Sequence, residues 1–129
     1  MRYLLSASQV LTGPADERIL DGAVLIEDEL IVAVGRREEI LAKADADIVE
    51  LAFPAATILP GLINAHVHLA FNPGPDRLAE LMAPADETRL VLAMAGRAQQ
   101  LINCGVTTVR DLGDRGGLAA TLREGHQCW

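Results

Sequence analysis

The sequence predicts a mixed α/β chain in two parts, a β-rich stretch over residues 1–55 and a strand, loop, helix, strand stretch over 56–129. Three observations carry this. Short apolar runs separated by turn residues fill the first part. After Pro54 the pattern changes to an apolar strand, a Pro-rich connection, a long amphipathic helix and a β-branched strand. Two histidines, His66 and His68, stand at the end of that apolar strand, ahead of a segment that cannot continue it.

In the first part, Tyr3 to Ser6 and Ser8 to Leu11 read as short strands, closed by Thr12-Gly13-Pro14-Ala15-Asp16. Ala23 to Glu27 and Leu30 to Val34 read as the arms of a hairpin around Asp28-Glu29. A tight primed turn favours Gly as its second central residue, because φ is positive there, and Glu29 holds that place. A longer or distorted turn is therefore expected. Arg36 to Lys43 is a short helix candidate with Ile40 and Leu41 for a buried face, and Ile48 to Leu51 returns as a strand.

In the second part, Pro60-Gly61 delivers the chain into a strand from Leu62 to Leu69, whose apolar content suits burial on both faces. Side chains alternate along a strand, so His66 and His68 share one face, at a spacing from which two imidazoles can tilt onto one ion. The plain alternative is two half-exposed histidines at a strand end. Ala70 to Ala85 reads as a loop with one helical turn around Arg77 to Met82. It is either a cover over a substrate or a solvent-exposed connection, and Asn72 and Asp76 are its candidate substrate-contacting residues.

Residues 86–104 form the strongest helix, because Leu90, Val91, Met94, Ala95, Ala98, Leu101 and Ile102 follow the spacing of one apolar stripe. Asp86 and Glu87 suit its positive end, and Gly105 suits the position past its last turn. Residues 106–110 read as a strand parallel to the first, because a helix connects the two. Arg110 and Asp111 then fall at its carboxyl end, beside the histidines. They are candidates for orienting the loop or a substrate, or else a structural salt-linked pair. A final helix is expected over Leu118 to Arg123.

Composition excludes several functions. The net charge of −7 and pI near 4.8 leave no basic stripe for nucleic-acid phosphates. No window has the roughly 18 to 20 unbroken apolar residues of a membrane-spanning helix. The amino terminus lacks an apolar run of signal-peptide length, so a cytoplasmic location is expected. Cys104 and Cys128 have neither the number nor the spacing of a disulfide framework or a zinc ribbon. Cys104 reads as a small buried residue at a helix end. There is no phosphate-binding Gly-x-x-x-x-Gly-Lys-[ST] loop.

The run Leu59-Pro60-Gly61-Leu62-Ile63-Asn64-Ala65-His66-Val67-His68-Leu69 resembles the first-strand signature of the amidohydrolase superfamily of metal-dependent hydrolases. Gly105-Val106-Thr107-Thr108-Val109-Arg110-Asp111-Leu112-Gly113 is similar to the segment that follows in many members, in the branch related to imidazolonepropionase and to prolidase-like enzymes. Gly22 to Asp28 and Ile31 to Gly35 resemble the amino-terminal strands of the family.

The resemblance implies a fold: an amino-terminal portion of a β-sandwich, then the first two βα units of a TIM-type (β/α)8 barrel. It also implies a cofactor, a divalent metal with zinc foremost, on His66 and His68. Further ligands in the family come from later barrel strands: a lysine or glutamate, two histidines, and an aspartate that accepts a proton. The ending Gly125-His126-Gln127-Cys128-Trp129 departs from the pattern, so the expectation is a truncated barrel. Two functions follow. One is hydrolysis of carbon–nitrogen bonds in a small-molecule amide or cyclic amide. The other is a non-catalytic remnant or interaction module with an incomplete metal site, self-associating through unpaired strands.

Overall fold

A computed structural model describes residues 1–13, 17–43, 47–75, 79, 82–84 and 86–126, with the backbone alone for His126. The chain divides into two compact units, Met1–Pro60 and Gly61–Trp129. The boundary expected after residue 55 falls inside a strand, and the division lies at Pro60 instead.

The first unit is a four-stranded sheet with one short helix. Its elements are β1 (Arg2–Leu11), β2 (Arg18–Glu27), β3 (Leu30–Arg36), α1 (Arg37–Leu41) and β4 (Val49–Ile58), with strand order β3-β2-β1-β4. β1 runs antiparallel to β2 and parallel to β4. Where two short strands were expected, β1 is a single strand of ten residues, because β2 and β4 pair along both its sides and carry it through Ala7-Ser8.

The β2–β3 turn contains only Asp28 and Glu29, since Glu27 pairs with Leu30. Asp28 supplies the positive φ, +53°, which Asp tolerates better than most residues. The expected distortion appears further in, as a register shift between Leu25 and Ile26. β4 continues well past the expected Leu51. Its register with β1 shifts between Ala7 and Gln9, where Pro54 to Ala56 bulge out and the Ser8 hydroxyl donates to the Ala56 carbonyl. A proline has no N–H for a ladder, and a bulge on an outer strand accommodates it.

Leu4, Ala23, Leu25 and Ile40 form the core of this unit, so α1 covers one face of the sheet through Ile40. The registers place Leu51, Leu5, Val24 and Val34 in one row across all four strands, on the opposite face.

The second unit contains β5 (Leu62–Val67), α2 (Glu87–Asn103), β6 (Val106–Asp111) and α3 (Leu118–His126). β5 and β6 pair in parallel, as expected of strands joined through a helix. α2 is capped by the Asp86 carboxylate, which accepts from the Arg89 N–H at 3.1 Å. It ends before Gly105, whose φ is +83°. Met94, fully buried, packs with Leu69, Ala70 and Leu118, so the core of this unit touches the residue after His68.

Two expectations of burial fail here. Leu62 is 47% exposed and Ile63 74% exposed, because among the described residues the core gathers beyond the other end of β5, around Leu69, Ala70, Met94 and Leu118. Cys104 is exposed as well, at the carboxyl cap of α2. No helix among the described residues is long and apolar enough to cross a membrane.

Candidate metal centre

β5 does not deliver its histidines as a regular strand would. The pairing with β6 steps from Asn64↔Val109 to Val67↔Asp111, so Ala65 and His66 lie in a bulge. The Asn64 side-chain oxygen accepts the His66 backbone N–H at 3.1 Å, which satisfies a donor that the ladder leaves out. β5 then ends at Val67, and His68 opens a turn in which its carbonyl accepts from the Phe71 N–H at 3.2 Å. Plain alternation along a strand therefore does not describe the pair. Bulge and turn together bring the rings to one side all the same.

The two Nε2 atoms lie 3.2 Å apart, with ring centroids 5.1 Å apart and the planes near perpendicular at 76°. Two nitrogens at this separation subtend about 100° at an ion held at about 2.0–2.1 Å from each, close to a tetrahedral angle. The pair thus fits one side of a zinc coordination sphere. Both side chains are exposed, so solvent and ions reach them.

His68 has a defined tautomer. Its Nδ1 lies 2.9 Å from the Gly113 carbonyl oxygen, and a carbonyl only accepts, so Nδ1 carries the proton. In the neutral ring Nε2 is then the unprotonated nitrogen, the form that binds a metal.

Among the substrate-loop candidates, Asp111 and Asn72 have structural partners. The Asp111 Oδ2 accepts from the Leu69 N–H and Oδ1 from the Gly113 N–H, each at 3.0 Å. Arg110 is exposed and makes no ion pair with Asp111, which corrects the salt-linked reading: the carboxylate is turned to backbone donors instead. Asn72 accepts from the Gly74 N–H at 3.0 Å and shapes the loop after β5. With His68, Phe71 and Arg97 it borders an open cleft of about 580 Å³ between that loop and α2. From α2, Arg97 Nη1 donates to the Leu69 carbonyl at 2.6 Å and anchors the same loop. Asp76 lies outside the described residues, as does the helical turn expected around Arg77 to Met82 apart from Ala79 and Met82, and so does the side chain of His126.

Among the described residues no group of three or more His, Cys, Asp or Glu side chains gathers as a metal site. The arrangement has two candidate nitrogen ligands, one of them fixed from behind.

Residues 57–128 match the model of the amidohydrolase family, and residues 22–46 match the bacterial imidazolonepropionase-like composite domain. A 5-methylthioadenosine/S-adenosylhomocysteine deaminase of Nitratidesulfovibrio vulgaris is 38% identical over 71 residues, which are 54% of this chain and 16% of the deaminase. The crystal structure of a Xaa-Pro dipeptidase with bound methionine is similar over 99% of this chain and 30% of its own, with a TM-score of 0.80 at 22% identity. An adenosine deaminase from Xanthomonas campestris, solved with bound zinc, is similar over 96% of this chain and 31% of its own, with a TM-score of 0.73 at 19% identity. The chain thus spans less than a third of the length of each.

Proposed function

We propose, for a chain that belongs to the amidohydrolase family over residues 57–128, that it contributes two metal ligands to a hydrolase of carbon–nitrogen bonds. We read β5 and β6 as the first two strands of a (β/α)8 barrel, and the four-stranded sheet as part of a composite sandwich. The observation that carries the functional reading is the approach of the His66 and His68 Nε2 atoms to 3.2 Å, with the His68 proton held on Nδ1. The names of the relatives support the reaction class, since a deaminase and a dipeptidase both break a carbon–nitrogen bond.

Zinc, when bound, supplies a Lewis acid for the carbonyl and lowers the pKa of a bound water to about 7. The chain's own residues hold and orient. His66 and His68 present two nitrogens to one point. Gly113 keeps the proton of His68 on the far side of the ring. Phe71, with its ring centroid 5.4 Å from that of His68, walls the approach on the side of the loop. Asn72 on that loop and Arg110 at the end of β6 are the described candidates for contact with an amide or cyclic amide, and Asp76 is a candidate from the sequence alone. A catalytic zinc site commonly has three protein ligands and an open position, so further ligands join from outside the described residues.

The gathering of only two candidate ligands among the described residues favours a second reading for this polypeptide by itself, a metal-binding but non-catalytic module. One experiment separates the two. The 129-residue chain and the product of its whole reading frame are assayed with added zinc against N-acyl amino acids, dipeptides, cyclic amides and 6-aminopurine nucleosides. Zinc-dependent release of amine or ammonia, lost in His66→Ala and His68→Ala, is the expected result for the hydrolase. Undiminished turnover in either variant overturns the metal assignment.

A further inference from the structure

We propose that Asp111 is a positioning residue for the histidine pair, acting through the Leu69 backbone next to His68 and through Gly113. The inference rests on the metal reading above and deepens it, because it assigns what aligns the ligands.

The geometry is a closed circuit. Asp111 Oδ2 holds the N–H of Leu69, the residue that follows His68. Asp111 Oδ1 holds the N–H of Gly113. The Gly113 carbonyl in turn accepts from His68 Nδ1. One carboxylate thereby fixes the position of the His68 backbone and of the group that sets the His68 tautomer. The strand pairing carries the same residue to the right place, since Asp111 is the register partner of Val67 and the Leu112 N–H donates to the Val67 carbonyl at 3.0 Å.

Only a carboxylate serves here. Both partners are N–H donors, and an ionised Asp accepts at each oxygen. Asn has one acceptor and one NH2, so one of the two N–H groups would face another donor. Gly113 is equally constrained, with a φ of +152° that side chains rarely adopt. Neither Asp111 nor Gly113 touches the point where the Nε2 atoms meet, so the role is orientation of a ligand.

The test compares wild type, Asp111→Asn and Asp111→Glu at pH 8.5 by long-range 1H–15N correlation of the histidine rings, followed by zinc titration. In the wild type we expect His68 as the Nδ1–H tautomer. In Asp111→Asn we expect a mixture with the Nε2–H tautomer and a zinc affinity lower by about 10–100-fold, the usual effect of removing a group that orients a ligand. Asp111→Glu keeps both acceptors one methylene further out and should fall between. Thermal unfolding of each variant identifies general loss of fold, which would change all three histidines together rather than His68 alone. Should neither variant fold, amide exchange in the wild type decides: both Leu69 and Gly113 are expected to be protected, and fast exchange at both overturns the proposal. A wild-type tautomer and affinity in folded Asp111→Asn also overturns it, while leaving the histidine ligands in place. Histidine resonances that ignore zinc in the wild type overturn the metal reading, and the positioning role with it.

Discussion

His68 and Gly113 lie 45 positions apart, yet Nδ1 of the first meets the carbonyl oxygen of the second at 2.9 Å. The contact exists because β5 and β6 pair in parallel, so the ends of both strands arrive at the same level. The orientation of the His68 ring therefore depends on strand pairing as well as on the histidine itself.

Zinc should bind the 129-residue chain weakly, since two nitrogens leave most of the ion solvated. Titration followed by histidine chemical shifts should show His66 and His68 moving together. His66→Ala should abolish the response of His68. Tight stoichiometric zinc retained through dialysis would reveal a further ligand among the residues not described.

Gly61 tests the pairing directly. A Cβ built there would lie 2.0 Å from the Thr107 hydroxyl oxygen and 2.6 Å from its methyl carbon. Gly61→Ala must push β6 away at the start of the ladder, where the Leu62 N–H meets the Gly105 carbonyl at 2.9 Å. A loss of about 1–3 kcal/mol is expected, as for other overpacked sites. Gly61→Ala combined with Thr107→Gly should recover much of it in urea unfolding.

Met94→Ala should cost about 2–5 kcal/mol, because the side chain is fully buried and its loss leaves a cavity. The cavity would open beneath Leu69 and Ala70, so the His68 ring signals should broaden as stability falls. Sharp, unshifted His68 signals in this variant would show that the core and the site are not coupled.

Acid should weaken the first unit through Glu50. Its carboxylate is held below the usual range chiefly by the hydrogen bonds from Arg37, at 2.9 and 3.1 Å, with the Ser6 hydroxyl adding to them against partial burial. A carboxylate whose folded pKa is depressed stabilises the fold above its unfolded pKa, about 4.3, and the contribution disappears as pH falls through the folded value. The urea midpoint, read from Tyr3 fluorescence, should drop below about pH 4.5. In Glu50→Gln the drop should be smaller, and identical curves would exclude this pair as the cause.

The sequence made some of this legible and concealed the rest for physical reasons. α2 was readable because its apolar stripe extends over several turns and both its caps are local. The approach of the two histidines was readable because side chains two residues apart are near each other in almost any extended backbone. The bulge at Ala65-His66 was not, since it is a property of two strands in register. The role of Asp111 was hidden in the same way: its partners are backbone N–H groups, and one of them belongs to a residue 42 positions away. β4 looked short because Pro54 reads as a strand breaker, and only the partner strand shows that the ladder resumes beyond it.

That resumption bears on aggregation. β4 ends the sheet order opposite β3, so it is one of the two edges on which another molecule's strand could add. An incoming strand needs an uninterrupted row of donors and acceptors, and at Pro54 it finds a residue with no N–H in a stretch that is already kinked. Replacing Pro54 with Val would supply the missing donor and a β-branched side chain at once. The bulge thus interrupts fibril-like growth at the β4 edge, where Val49, Leu51 and Phe53 are exposed.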